Sequence, residues 1–158
     1  FAAEIDYQIA SGGDDLIAFL VILEVNGERL YHSTIQRMLV LQLVAGIYLT
    51  RGVLGQSLWH LAGNPADRKR LITEPELLPT AVKEFLRAFA SVSLWRTVTQ
   101  TVSVRNVEMS AGDTVMMALP AACRDPQAFE NADQIIINRA KKRHVAFGAD
   151  IDRCLGST

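Results

Sequence analysis

Cys154 stands in the run Phe147-Gly148-Ala149-Asp150-Ile151-Asp152-Arg153-Cys154-Leu155-Gly156, with Phe-Gly before it and Leu-Gly after it. A cysteine held in such a loop can act as a metal ligand once it is a thiolate. Alone it decides nothing, because most unpaired cysteines are small buried hydrophobes. The other cysteine, Cys123, precedes Arg124-Asp125-Pro126 and reads as one of those packing residues. Glu84-Phe85-Leu86-Arg87 sets an acid and a base at i, i+3 on a helical pattern. Such pairs recur by chance, and on an exposed helix face they contribute only a few tenths of a kcal/mol. The question is what elements would hold these groups.

Residues 1–11 and 14–25 read as two helical stretches, parted by Gly12-Gly13 and restarted by the acidic pair Asp14-Asp15. Asn26-Gly27 is a turn signal. A long helical pattern runs from about Ser33 to Ala62, with Ser33 and Gln36 spaced as a capping box. Between Met38 and Leu54 it is apolar on nearly all faces, as expected of a helix surrounded by protein. Gly46 sits mid-helix, where glycine costs stability. Asn64-Pro65 starts a short charged helix, and Pro79 opens another over Thr80–Ala90. From Arg96 to Val104 the β-branched residues alternate as a strand. A second short apolar stretch, Thr114–Leu119, ends at Pro120, and from Arg124 to Cys154 the chain reads as irregular. The fold class is mainly α with a small β-sheet.

The chain has 158 residues, enough for one core. At 49% hydrophobic and 21% charged it is globular in composition, and a net charge of −1 gives no pull toward nucleic acid or anionic lipid. Two cysteines imply no disulfide framework, so a cytoplasmic location is the default. No signal peptide and no uninterrupted apolar run of about 18 residues suggest a membrane segment.

Four blocks taken together resemble the cytochrome P-450 haem-thiolate monooxygenases, and the resemblance covers nearly the whole chain. Leu43-Val44-Ala45-Gly46 is similar to the start of the oxygen-binding segment A-G-x-D/E-T, and Glu84-x-x-Arg87 to the E-x-x-R helix. Arg124-Asp125-Pro126 with Phe129, Asp133 and Arg139 resembles the bacterial meander. His144 to Gly148, leading to Cys154, resembles the loop F-G-x-G-x-H/R-x-C-x-G. Residues 1–158 then read as a single C-terminal fragment of that domain, truncated at both ends and inactive by itself.

The resemblance implies haem b, with Cys154 as the iron ligand and Leu155 and Gly156 supplying backbone donors to the sulfur. Phe147 and Gly148 would complete the cofactor-binding loop, Arg96 would meet a haem propionate, and Ala45 and Gly46 would lie on the haem side of the long helix. Glu84, Arg87 and Arg139 would form a buried structural network. Leu41, Val44 and Leu49, with Val92 from another segment, would contact a small apolar organic substrate. O2 and a ferredoxin-like donor would be the other partners, the donor meeting Lys141-Lys142-Arg143 and Arg153. No nucleic acid is implied.

Four residues depart from the family pattern. Its acid–alcohol pair falls on Tyr48 and Leu49, and leucine has no hydroxyl. Thr50 remains as the candidate catalytic hydroxyl, one residue late and therefore turned by about 100° on a regular helix. A local bulge near Gly46 would rewind it. Asp150 replaces a glycine, which aspartate can tolerate in a left-handed turn. Asp152 replaces a basic residue and would set a carboxylate near a propionate. The leading expectation is a monooxygenase. The alternatives are a haem-binding but catalytically impaired relative acting as a binding module, and a helical domain that never binds haem.

Overall fold

Asp15 begins α2 (Leu16–Ile22) by accepting the Ala18 amide at 2.9 Å, which satisfies one of the orphan donors of the first turn. The structure, a computed structural model, describes residues 1–140 and 143–157. Two units are distinguished, Phe1–Arg51 and Gly52–Thr158.

In the first unit α1 (Ala2–Ser11) precedes α2. The helical reading of 14–25 is too long. Asn26 (φ 55°) and Gly27 (φ 83°) form a turn that folds β1 (Glu24–Val25) back on β2 (Glu28–Arg29). Both central residues take positive φ, which suits the twist of a two-residue hairpin. Ile5, Leu20, Ile35 and Leu39 form this unit's core.

The long helix α3 (His32–Gly63) crosses from one unit into the other. It begins one residue before Ser33, and the Ile35 amide donates to the Tyr31 carbonyl at 3.1 Å. Ser33 is therefore inside the first turn and not at the cap. The helix is α-helical throughout, with no bulge at Gly46. It has 32 residues, and its most apolar 18-residue window, with a mean hydropathy of 1.6, meets the length and apolarity of a bilayer-crossing helix, although no uninterrupted apolar run does. Only 6% of that apolar window is buried among the described residues.

In the second unit α4 (Pro65–Thr73) and a 3₁₀ turn (Pro75–Leu77) lead to α5 (Leu78–Ala88). Ala81 and Phe85 of α5 join Leu71 and Ile137 in the second core. The reading of one strand over Arg96–Val104 is wrong. β3 (Ser93–Thr97) pairs antiparallel with β6 (Thr114–Ala118), while β4 (Val102–Val104) pairs with β5 (Val107–Met109). Arg105 (φ 48°) and Asn106 (φ 64°) close a tight turn between β4 and β5, so Val102–Val104 cannot continue β3. The small β content consists of three two-stranded antiparallel ladders among the described residues. Pro120 does not end a strand; it lies in the first turn of the short helix α6 (Leu119–Ala122). Beyond α6 a 3₁₀ turn at Asp150–Asp152 is the only helical piece among the described residues.

Candidate haem-thiolate loop and its buried ion cluster

Residues 123–140 have almost no regular structure, so their backbone groups need partners from elsewhere. α5 supplies them. Glu84 and Arg87 project from it and are 3% and 2% exposed. Glu84 Oε1 accepts from Arg87 Nη2 and from the Ile136 amide, both at 2.9 Å. Its Oε2 accepts from Arg87 Nε and Arg139 Nε, again at 2.9 Å. Arg87 also donates to the carbonyls of Cys123 (2.6 Å), Ala132 (2.9 Å) and Gln134 (3.0 Å). Its guanidinium carbon lies 5.2 Å from the centre of the Phe129 ring. Arg124 clamps the Ala88 carbonyl with two donors at 3.1 and 2.7 Å. The i, i+3 pair is therefore a buried knot that binds an irregular segment to a helix.

Burial pushes the Glu84 carboxyl up, yet its pKa stands below the ordinary value. The Arg87 bond, the Ile136 amide and Arg139 together outweigh the desolvation. Cys123 is fully buried, and burial raises its thiol.

The Cys loop is closed by its own backbone. The Gly148 amide donates to the Val145 carbonyl at 2.9 Å, and the Cys154 amide donates to the Phe147 carbonyl at 2.8 Å. Gly148 (φ 73°) and Asp150 (φ 60°) take the left-handed conformation that this path requires. Asp150 thus holds the turn that a glycine would. Cys154 is exposed and unpaired. Leu155 beside it is 97% exposed. Gly156 brings its backbone near the sulfur, since a Cβ built there would lie 3.8 Å from Sγ. Ser157 Oγ donates to the Cys154 carbonyl at 2.7 Å and itself accepts from Arg153 Nε at 2.7 Å.

Phe147, Gly148, Cys154, Leu155 and Gly156 share this one loop, and Glu84, Arg87 and Arg139 share the cluster. Arg96 is exposed on β3 and donates to the Trp95 carbonyl at 2.9 Å, and Val92 is half-buried just before that strand. Leu41, Val44, Ala45, Gly46 and Thr50 lie exposed on the first unit's part of α3, with Leu49 half-buried. Lys141 and Lys142 lie outside the described residues, as does the Asp152 side chain. Two participants have no role assigned from sequence: Ser157, which accepts from Arg153, and His144, whose Nδ1 accepts the Ala146 amide at 3.3 Å. His144 carries a sequence signal, standing directly before the Val-Ala-Phe-Gly turn.

Residues 67–157, more than half the chain, match the sequence profile of the family described as Cytochrome P450. The chain belongs to the cytochrome P450 family. Polyketide biosynthesis cytochrome P450 PksS of Bacillus subtilis (strain 168) is 35% identical over 146 residues, covering 91% of this chain and 36% of that protein. The vitamin D(3) 25-hydroxylase of Pseudonocardia autotrophica is 34% identical over 144 residues, covering 90% of this chain and 36% of that protein. Among solved structures, CYP109E1 from Bacillus megaterium in complex with testosterone superposes with a TM-score of 0.90 at 32% identity, over 99% of this chain and 44% of that one. The chain thus spans about two fifths of the length of its P450 relatives. Like them it is mostly helical with small antiparallel ladders.

The residues present fit the P450 cofactor. Haem brings four nitrogen donors of its own, so one protein ligand with an accessible sulfur is enough. Cys154 is that kind of group: exposed, unpaired, and held with its own amide already satisfied. No cluster of three or more His, Cys, Asp or Glu stands among the described residues as a rival metal site.

Proposed function

We propose that this chain is the haem-binding portion of a monooxygenase that inserts one oxygen atom from O2 into an apolar organic substrate. The observation that carries the reading is Cys154, exposed and unpaired in a backbone-closed loop of a P450-family chain. Cys154 would ligate the iron of haem b. When bound, a haem with a thiolate ligand activates dioxygen, because the sulfur pushes electron density toward the iron and favours O–O cleavage.

The chain's own residues do the rest. With the cofactor bound, Phe147 would help keep water from the sulfur, and the turn it belongs to holds the Cys154 amide. Leu155 and Gly156 offer backbone donors that tune the thiolate. Arg96 pairs a propionate in a charge-assisted contact. On α3, Ala45 and Gly46 add little bulk and Leu41, Val44 and Leu49 offer apolar surface, and in the second unit Val92 is a further apolar side chain. Vitamin D(3) and testosterone, named with two relatives, are bulky apolar molecules, and these side chains suit that class. Lys83, Arg143 and Arg153 wall a cleft of about 960 Å³ between α5 and the Cys loop, a basic surface suited to an acidic ferredoxin. Both cysteines are unpaired, which suits a reducing cytoplasm.

The test is the absorption spectrum of the reduced, carbon-monoxide-bound protein, with this chain in a polypeptide of the family's full length. The red-shifted band given only by a thiolate ligand is expected. Haem binding with a neutral-ligand band, or no haem binding, overturns the reading.

Proton delivery sets a second expectation. Because α3 is regular through Gly46, Thr50 stays turned away from the position of Leu49 by about 100°. Leu49 has no hydroxyl, and the Tyr48 phenol does not replace the carboxylate of the family's acid–alcohol pair. Part of the electron flow should therefore leave as hydrogen peroxide. Changing Tyr48→Asp together with Leu49→Thr should raise the ratio of product formed to electrons consumed. A parent enzyme already tightly coupled, and unchanged by the pair, would mean that Thr50 or an ordered water carries the proton.

A further inference from the structure

The turn that precedes the thiolate loop is held by a titratable side chain. Val145–Gly148 is a tight turn, closed by the Gly148 amide on the Val145 carbonyl at 2.9 Å. The carbonyl of Phe147, its third residue, receives the Cys154 amide at 2.8 Å. The amide of Ala146, its second residue, donates to His144 Nδ1 at 3.3 Å. A ring nitrogen that accepts carries no proton, so the neutral ring keeps its proton on Nε2. An added proton would have to go to Nδ1, the atom that holds the turn. The same side chain then becomes a donor facing a donor.

We propose that His144 is a positioning residue for the Cys154 loop, holding the Val145–Gly148 turn through an unprotonated Nδ1, so that protonating His144 releases the loop. The inference rests on the haem-thiolate reading of Cys154.

The surroundings keep the ring neutral. His144 is half-buried, with its ring centre 6.2 Å from that of Phe147. Burial is the main cause that holds its pKa below the ordinary imidazole value, and the Arg87 charge adds to it. Glu84 pulls the other way, while Arg153 from the Cys loop and Lys83 from α5 again disfavour a proton. Cations thus face the ring from both α5 and the loop, and the one carboxylate among these groups is committed to Arg87 and Arg139. The sign follows. The unfolded chain takes up this proton near pH 6.5, and the folded chain only at lower pH. Acidification below about 6.5 therefore costs stability first, and the turn opens when the folded ring itself protonates.

His144→Asn is the deciding variant. Its side-chain oxygen can accept the amide two residues on, and it does not titrate. Two readouts are taken against pH in the haem-loaded protein: the reduced, carbon-monoxide-bound spectrum and the urea unfolding midpoint. In the parent, the thiolate-type band should give way reversibly to a neutral-ligand band on acidification, with a one-proton profile. In His144→Asn that transition should move to lower pH by about one unit or more. His144→Leu, which has no acceptor, should lose the thiolate band already near neutral pH. The stability loss below about pH 6.5 should shrink in His144→Asn. A thiolate band whose pH midpoint is the same in the parent and His144→Asn overturns the inference. Absence of a thiolate band in the parent at every pH overturns the haem-thiolate reading instead. The unfolding arm then decides separately whether His144 latches the turn.

Discussion

Glu84→Ala should leave the second unit unable to fold around its Cys loop. The substitution strips the carboxylate from two guanidinium groups whose side chains are 2% and 11% exposed. It also removes the acceptor of the Ile136 amide. Arg87 would then keep a full charge in an interior with only carbonyls around it. Removing one partner of a buried ion pair costs about 3–5 kcal/mol. Domains of ordinary size have about 5–15 kcal/mol in total. The expected result is an insoluble or haem-free protein, read out by soluble yield, haem content and urea unfolding. A soluble, haem-loaded Glu84→Ala with the parent's unfolding midpoint would show the cluster to be dispensable. The same group sets an acid limit. Its folded pKa lies below the unfolded one, so its contribution is complete above the ordinary carboxylate range and disappears as pH falls through the depressed folded value.

Cys154→Ala should abolish the thiolate-type spectrum altogether, while Cys123→Ala should keep it. The two cysteines are opposites. Cys154 has its sulfur at the surface on a closed loop, whereas Cys123 is fully buried and burial raises its thiol pKa. Cys123 works mainly through its backbone carbonyl, which takes the Arg87 bond and survives a change of side chain. A thiol is a weak hydrogen-bond acceptor, so losing the Cys123 sulfur should cost the Val145 amide little. The measurement is the reduced, carbon-monoxide-bound spectrum of both variants at neutral pH. Persistence of the thiolate band in Cys154→Ala, or its loss only in Cys123→Ala, would reverse the assignment.

Helices that carry their own start and stop signals were legible from residue types. Asp15 before α2, Asn64-Pro65 before α4 and Pro79 in α5 each announce a terminus by chemistry within one turn. The β region was misread because alternation over Arg96–Val104 has the same period on both sides of a turn. Arg105 and Asn106, which reverse the chain, have no glycine to mark them. The E-x-x-R spacing could suggest a pair but not its burial, since burial comes from carbonyls of Cys123, Ala132 and Gln134 far along the chain. The His144 contact was hidden for the opposite reason. It is local, but it depends on a turn that only Gly148 at φ 73° and the Cys154 amide complete.

The reach of Arg87 also fixes an order of assembly. Its carbonyl partners lie 36 to 47 residues downstream, and Glu84 takes donors from residues 52 and 55 positions away. The segment between α6 and the Cys loop is shaped by local turn bonds, but its tie to the core runs through Glu84 and Arg87 of α5. Such distant closures slow folding, because the chain must lose loop entropy before any contact rewards it. During synthesis α5 emerges before its partners, so the Glu84–Arg87 cluster can close only after residues 123–139 have followed.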